Sequence, residues 1–80
     1  MKNVKVIELC LPLLAMHEAL TDIIDAGVNS ADIDIDSRPL GNASKDWHFS
    51  VCSNLNQSTR TVGALINSGF YKKYEKYMQN

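Results

Sequence analysis

The stretch Asp32-Ile33-Asp34-Ile35-Asp36 limits the fold of this chain more than any other segment. Its alternation of carboxylate and branched apolar side chain has the period of a β-strand, whose successive side chains point to opposite faces. Residues 31–37 therefore read as a half-buried strand with Ile33 and Ile35 inward. Pro39, Gly41 and Asn42 then punctuate a loop of about seven residues. Beyond it, Trp47, Phe49 and Val51 alternate with His48, Ser50 and Cys52. Two period-two segments flanking a turn predict an antiparallel hairpin with one face packed on helices.

Helices are expected on either side of that hairpin. Leu13, Met16, Leu20, Ile23 and Ile24 recur at helical spacing, with Glu18, Asp22 and Asp25 on the opposite face. Proline is tolerated in a first helical turn and costly in an interior, so this helix is expected to start near Leu11 or Pro12. Gly27 is its expected C-cap. Residues 4–9 are rich in β-branched side chains and read as a separate strand or a kinked extension of the helix. Ser58 or Asn56 caps a second expected helix carrying Val62, Leu65 and Ile66, which Asn67-Ser68-Gly69 ends. Phe70 to Met78 continues it or forms a further short helix with Phe70, Tyr74 and Tyr77 on one side. The expected architecture is one small α+β domain spanning 1–80. Its order is (β)αββα, with a two- or three-stranded antiparallel sheet packed on helices.

Charge is distributed as unevenly as hydropathy. Residues 1–36 carry seven carboxylates against two lysines, a net charge of −5. Residues 37–80 carry six basic side chains against two acidic ones, a net charge of +4, so the overall −1 conceals a dipolar sequence. Such asymmetry points to a charged partner. At 80 residues the chain has little room for a deep cleft and its supporting shell, which favours binding over catalysis. Cys10 and Cys52 form no CxxC pair and read as reduced, buried thiols of a cytoplasmic protein, with a single disulfide between them as the alternative. Met1-Lys2-Asn3 followed by an apolar run superficially resembles a secretory signal. Glu8 and Pro12 interrupt the run, and Ala15-Met16-His17 is a poor cleavage site, so an intact chain is expected. No apolar stretch is long enough to span a bilayer.

Asp32, Asp34 and Asp36 would sit about 6–7 Å apart on one strand face. Such a row is the solvated side of a strand, a contact for a basic protein surface, or a site for a hard cation. A straight strand cannot wrap six oxygens around an ion, and the glycine-turn calcium loop is absent, so no metal is expected. His17, His48, Cys10 and Cys52 lack the close-spaced ligand pairs of zinc sites. The four glycines are scattered rather than gathered into a phosphate loop, and no cofactor is implied. A thiol–histidine pair such as Cys52 with His17 has no orienting residue or oxyanion loop in the sequence, so no enzyme is expected.

Residues 51–66 resemble a helix-turn-helix. Cys52 fills the small position, Asn56 stands at the turn, Ser58-Thr59-Arg60-Thr61-Val62 matches Ser-x-x-Thr-Val, and Leu65 fills the later apolar position. Gln57 stands where the pattern has an apolar residue. The resemblance implies that 58–67 is a recognition helix, with Ser58, Thr59 and Arg60 directed at the major groove. Lys72, Lys73 and Lys76, interleaved with tyrosines, would then grip the phosphate backbone. It also requires helix over 46–54, where the alternation predicts strand.

The preferred expectation is a small non-catalytic inhibitor or adaptor, of the size that phages and mobile elements encode in short reading frames. Asp32, Asp34 and Asp36 would dock on the basic, nucleic-acid-binding surface of a protein target, with Trp47 as aromatic anchor. The alternative is a helix-turn-helix transcriptional regulator that binds DNA. The hairpin edge and the tyrosine-rich tail could each support a homodimer.

Overall fold

The computed structural model describes residues 2–41 and 45–78. Its elements run β1 (Asn3–Pro12), α1 (Leu13–Asp25), β2 (Ile33–Pro39), β3 (Asp46–Asn54), α2 (Ser58–Asn67) and α3 (Phe70–Lys73). Short 3-10 turns occupy Ser30–Asp32, Leu55–Gln57 and Glu75–Tyr77. The domain is α+β, and its sheet is a three-stranded antiparallel one in the order β1-β3-β2. Residues 4–9 are thus strand, not an extension of the helix. Asn42, expected in the β2–β3 loop, lies outside the described residues.

Pro12 marks the change from strand to helix. Its backbone (φ −62°, ψ 156°) is extended, and it caps a helix that begins at Leu13, slightly later than expected. A residue without an N–H suits the place where strand pairing stops and helical bonding has not started. Gly27 (φ +82°) turns the chain out of α1, and Gly69 (φ +82°) does the same after α2. Both sit in the left-handed region that glycine enters at least cost.

The core lies on one face of the sheet. Leu9, Leu11, Phe49 and Val51 are fully buried, with Leu9 opposite Phe49 and Ile7 opposite Val51 across the β1–β3 ladder. Onto this face α1 sets Met16, Ala19 and Ile23, α2 sets Thr61 and Leu65, and the tail sets Phe70 and Tyr74. Each large apolar side chain buried in this way contributes about 1.5–3 kcal/mol. The stripe of α1 is narrower than its periodicity suggests, for Leu13 is 44% exposed and Ile24 75%. A single sheet layer covers one side of a helix, and Ala19 rather than Leu13 or Ile24 lies in that contact. Ile35 points to the helix side as expected but is still 38% exposed, because the helices cover β1 and β3 more than β2.

The register of β1 against β3 shifts between Lys5 and Ile7, leaving Val6 as a bulge. The Val6 carbonyl accepts a hydrogen bond from the Tyr71 hydroxyl at 2.8 Å. Met78 bridges Leu9, so the C-terminal segment lies along the outer edge of β1. Buried hydroxyls of Ser53 and Thr61, 3.0 Å apart, join β3 to α2. The tail is anchored on Asp22, which accepts from the Tyr74 hydroxyl at 2.5 Å and from Lys73 Nζ at 2.8 Å. Lys73 also pairs with Glu18 at 2.9 Å. Asp22 is therefore a partly buried tether rather than a member of a solvated helix face.

Partial burial alone would raise the Asp22 pKa, but hydrogen bonds from Lys73 and Tyr74 outweigh it and hold the carboxyl below its ordinary value. Burial, reinforced by Asp22, pushes the Tyr74 hydroxyl well above the usual tyrosine range. Asp22→Ala leaves the buried Tyr74 hydroxyl without its acceptor and is expected to cost about 1–3 kcal/mol in urea unfolding at pH 7. A carboxylate with a depressed folded pKa stabilises above its unfolded value and ceases to do so as pH falls through the folded one. The gap between wild type and Asp22→Ala should therefore be full at neutral pH and narrow as pH drops below 3.8.

Candidate interaction surface

Strand alternation divides the sheet side chains between two faces. Ile7, Leu9, Leu11, Trp47, Phe49, Val51 and Ser53 face the helices, together with Ile33 and Ile35 of β2. The other face carries no helix in the described residues. Register places Lys5, Cys52 and Asp34 in one row across it, Glu8, Ser50 and Asp36 in the next, and Cys10, His48 and Arg38 in a third. The open face is thus polar throughout, and the aspartates of β2 stand at its margin.

Asp34 and Asp36 are exposed and share this face, about 6–7 Å apart. Among the described residues neither forms an ion pair. Asp34 accepts one bond from the neutral Asn3 amide at 3.0 Å, which leaves its charge uncompensated. Arg38 lies on the same face one step beyond Asp36 without a salt bridge to it. Asp32 leaves the row. It belongs to the 3-10 turn that precedes β2, where Asn29 accepts a hydrogen bond from the Ala31 N–H. That turn half-buries Asp32 beside a cavity of about 100 Å3 that Arg60 also lines. The acidic row is therefore a pair, with a third carboxylate around the corner.

Trp47 lies on the opposite face. It pairs with Leu11 and Pro39 and packs, half-buried, against the core. The expected cluster of Trp47 with the three aspartates is not formed, because residues 46–54 alternate in the parity that sends Phe49 and Val51 inward.

The residues singled out by the helix-turn-helix resemblance are dispersed. Residues 46–54 are β3, so the helix required before the turn is a strand. Central position in the sheet, with both neighbours hydrogen-bonded, overrides the motif. The second helix does form over Ser58–Asn67, but it packs on the sheet through Thr61 and Leu65. Ser58 Oγ donates to the Leu55 carbonyl at 3.0 Å. Thr59 and Arg60 are exposed. Of the three tail lysines, Lys73 is held by Glu18 and Asp22, and Lys76 lies 5.1 Å from the Tyr77 ring centroid. Lys72 is exposed.

One polar group on the open face had no signal in the sequence beyond an acidic residue in a strand. Glu8 Oε2 meets His48 Nε2 at 2.6 Å and Lys5 Nζ at 2.9 Å. The contact with His48 joins residues 40 apart on neighbouring strands, a pairing that only register reveals. The His48 hydrogen bond, then that of Lys5, keeps the Glu8 carboxyl below the usual range. Glu8 is thus already matched with positive charge and adds little to the acidic margin. Cys10 sits across from His48, and Cys52 four residues further along β3, about 13 Å away at strand rise. That separation exceeds the reach of a disulfide, and both thiols are free. Among the described residues no three His, Cys, Asp or Glu side chains are placed to share a metal ion, and no helix is long and apolar enough to cross a membrane.

No protein-family model, curated protein or solved structure matches this chain. The geometry alone carries its interpretation.

His48→Ala is expected to move the Glu8 carboxyl upward, toward its ordinary value of 4.5, in a carbon-13 NMR titration.

Proposed function

We propose that the protein is a small non-catalytic inhibitor or adaptor that docks the acidic margin of its sheet on a basic protein surface. The supporting observation is the pair Asp34 and Asp36, exposed on an edge strand with no basic side chain in a salt bridge to either among the described residues. Charges that are left unpaired on a rigid strand keep their full attraction for a partner and require no internal ion pair to be broken first. A basic surface of matching spacing is often one that binds nucleic acid, and its occupation by carboxylates would block that function. The two thiols, held apart by register, fit a reducing compartment such as the cytoplasm.

Affinity capture from extracts of the source cells, with wild type and an Asp32→Asn/Asp34→Asn/Asp36→Asn variant as parallel baits, tests this reading. A partner should be retained by wild type, released by moderate salt, and recovered about tenfold less on the variant. Equal recovery of every partner by both baits refutes acidic docking. Asp32, beside Arg60 and away from the row, should contribute least when the substitutions are separated.

A further inference from the structure

The two edges of the sheet are not equivalent. Met78 bridges the outer edge of β1 at Leu9, and Tyr71 donates to Val6 there. On the outer side of β2 no backbone partner is found among the described residues. Hydrogen-bond parity shows which groups face out. The Leu40 N–H bonds the Asp46 carbonyl at 3.1 Å, which makes 40 and 46 a hydrogen-bonded pair. Alternation then directs the backbone of Arg38, Asp36 and Asp34 to β3, and that of Ile33, Ile35, Ser37 and Pro39 outward. The Leu55 N–H bond to the Lys2 carbonyl, 3.0 Å, fixes the same parity from the other side of β3. Pro39, which has no N–H, falls on an outward position, where an edge strand tolerates it.

We propose that β2 accepts an extended basic segment of a partner protein as a fourth, antiparallel strand. The inference rests on the acidic docking reading and supplies its geometry. An incoming strand would exchange backbone bonds with Ile33, Ile35 and Ser37. Its residues across from Asp34 and Asp36 would form non-hydrogen-bonded pairs, the closer type, with Cα atoms about 4.5 Å apart. Basic side chains there meet both carboxylates on the open face. The residues between them lie on the helix side and cover the half-exposed Ile35, so they are apolar. Arg38 favours an acidic residue opposite itself. The partner segment therefore reads acidic-x-basic-apolar-basic-apolar from its N-terminus. A second copy of this chain is a poorer occupant, because antiparallel β2–β2 pairing puts Asp34 directly against Asp36 when centred on Ile35 and two Asp36 carboxylates face to face when centred on Asp36.

The test uses the full chain and the peptide acetyl-Thr-Glu-Thr-Lys-Val-Lys-Val-Thr-amide at low salt, followed by nitrogen-15 NMR. Binding should shift the amides of Ile33, Ile35 and Ser37 and slow their hydrogen exchange. N-methylation of the valine between the two lysines removes a donor aimed at β2 and should weaken binding by about tenfold. N-methylation of either lysine removes a donor aimed away and should leave affinity within about twofold. Asp34→Asn/Asp36→Asn should weaken the unmodified peptide by about tenfold as well. Equal affinity for the valine-methylated and lysine-methylated peptides, or no binding of any peptide, overturns strand addition. In the first case, continued sensitivity to the aspartate substitutions leaves acidic docking standing by itself. Self-association of the free protein through shifted β2 amides would overturn the choice of occupant.

Discussion

One-sided burial of a three-stranded sheet is the constraint from which the other features descend. β3 is hydrogen-bonded on both sides, and its Phe49 and Val51 are sealed beneath the helices. Eighty residues supply helices for a single layer only. The opposite face must then be polar, and it is: every row across it contains at least one ionisable side chain. A polar open face and a short edge strand are consequences of the size of the domain as much as of any function.

Charge is redistributed when the chain folds. The basic tail does not stand apart from the acidic N-terminal half, because Lys73 reaches Glu18 and Asp22 on α1, and Lys5 and His48 engage Glu8. These contacts tie the tail over the core and compensate three of the seven carboxylates of residues 1–36. Of the four others, Asp34 and Asp36 share the open face of β2, the edge strand opposite the one along which the tail lies. The acidic margin is a residue of this pairing, smaller than the linear charge count suggests and better defined in position.

The edge strand carries two properties that usually conflict. Unpaired backbone groups invite another strand, while adjacent like charges repel a second copy of the same strand. Under the proposed strand addition, the carboxylates along β2 would reconcile them by discriminating among occupants according to charge. The bulge at Val6 and the bridge at Met78 handle the other edge differently, by occupying it from within the chain.

Most of the element order was legible in the residues. Period two identified β2 and β3, period 3.6 identified α1 and α2, and Pro12 and Gly69 marked boundaries through their restricted or permissive φ. Which residues share a face within each strand followed from the same alternation. Beyond that, local information ended. Whether Cys52 to Leu65 becomes a helix-turn-helix was decided by β1 and β2 bonding to β3 from either side, an outcome no 16-residue window contains. Asp22 as a tether, the meeting of Glu8 with His48 and the rotation of Asp32 out of the aspartate row all depend on register and packing between segments far apart in the chain. Sequence periodicity determines what each segment can bury; only the closed tertiary structure decides which polar groups, once the apolar faces are joined, find one another and which are left facing solvent.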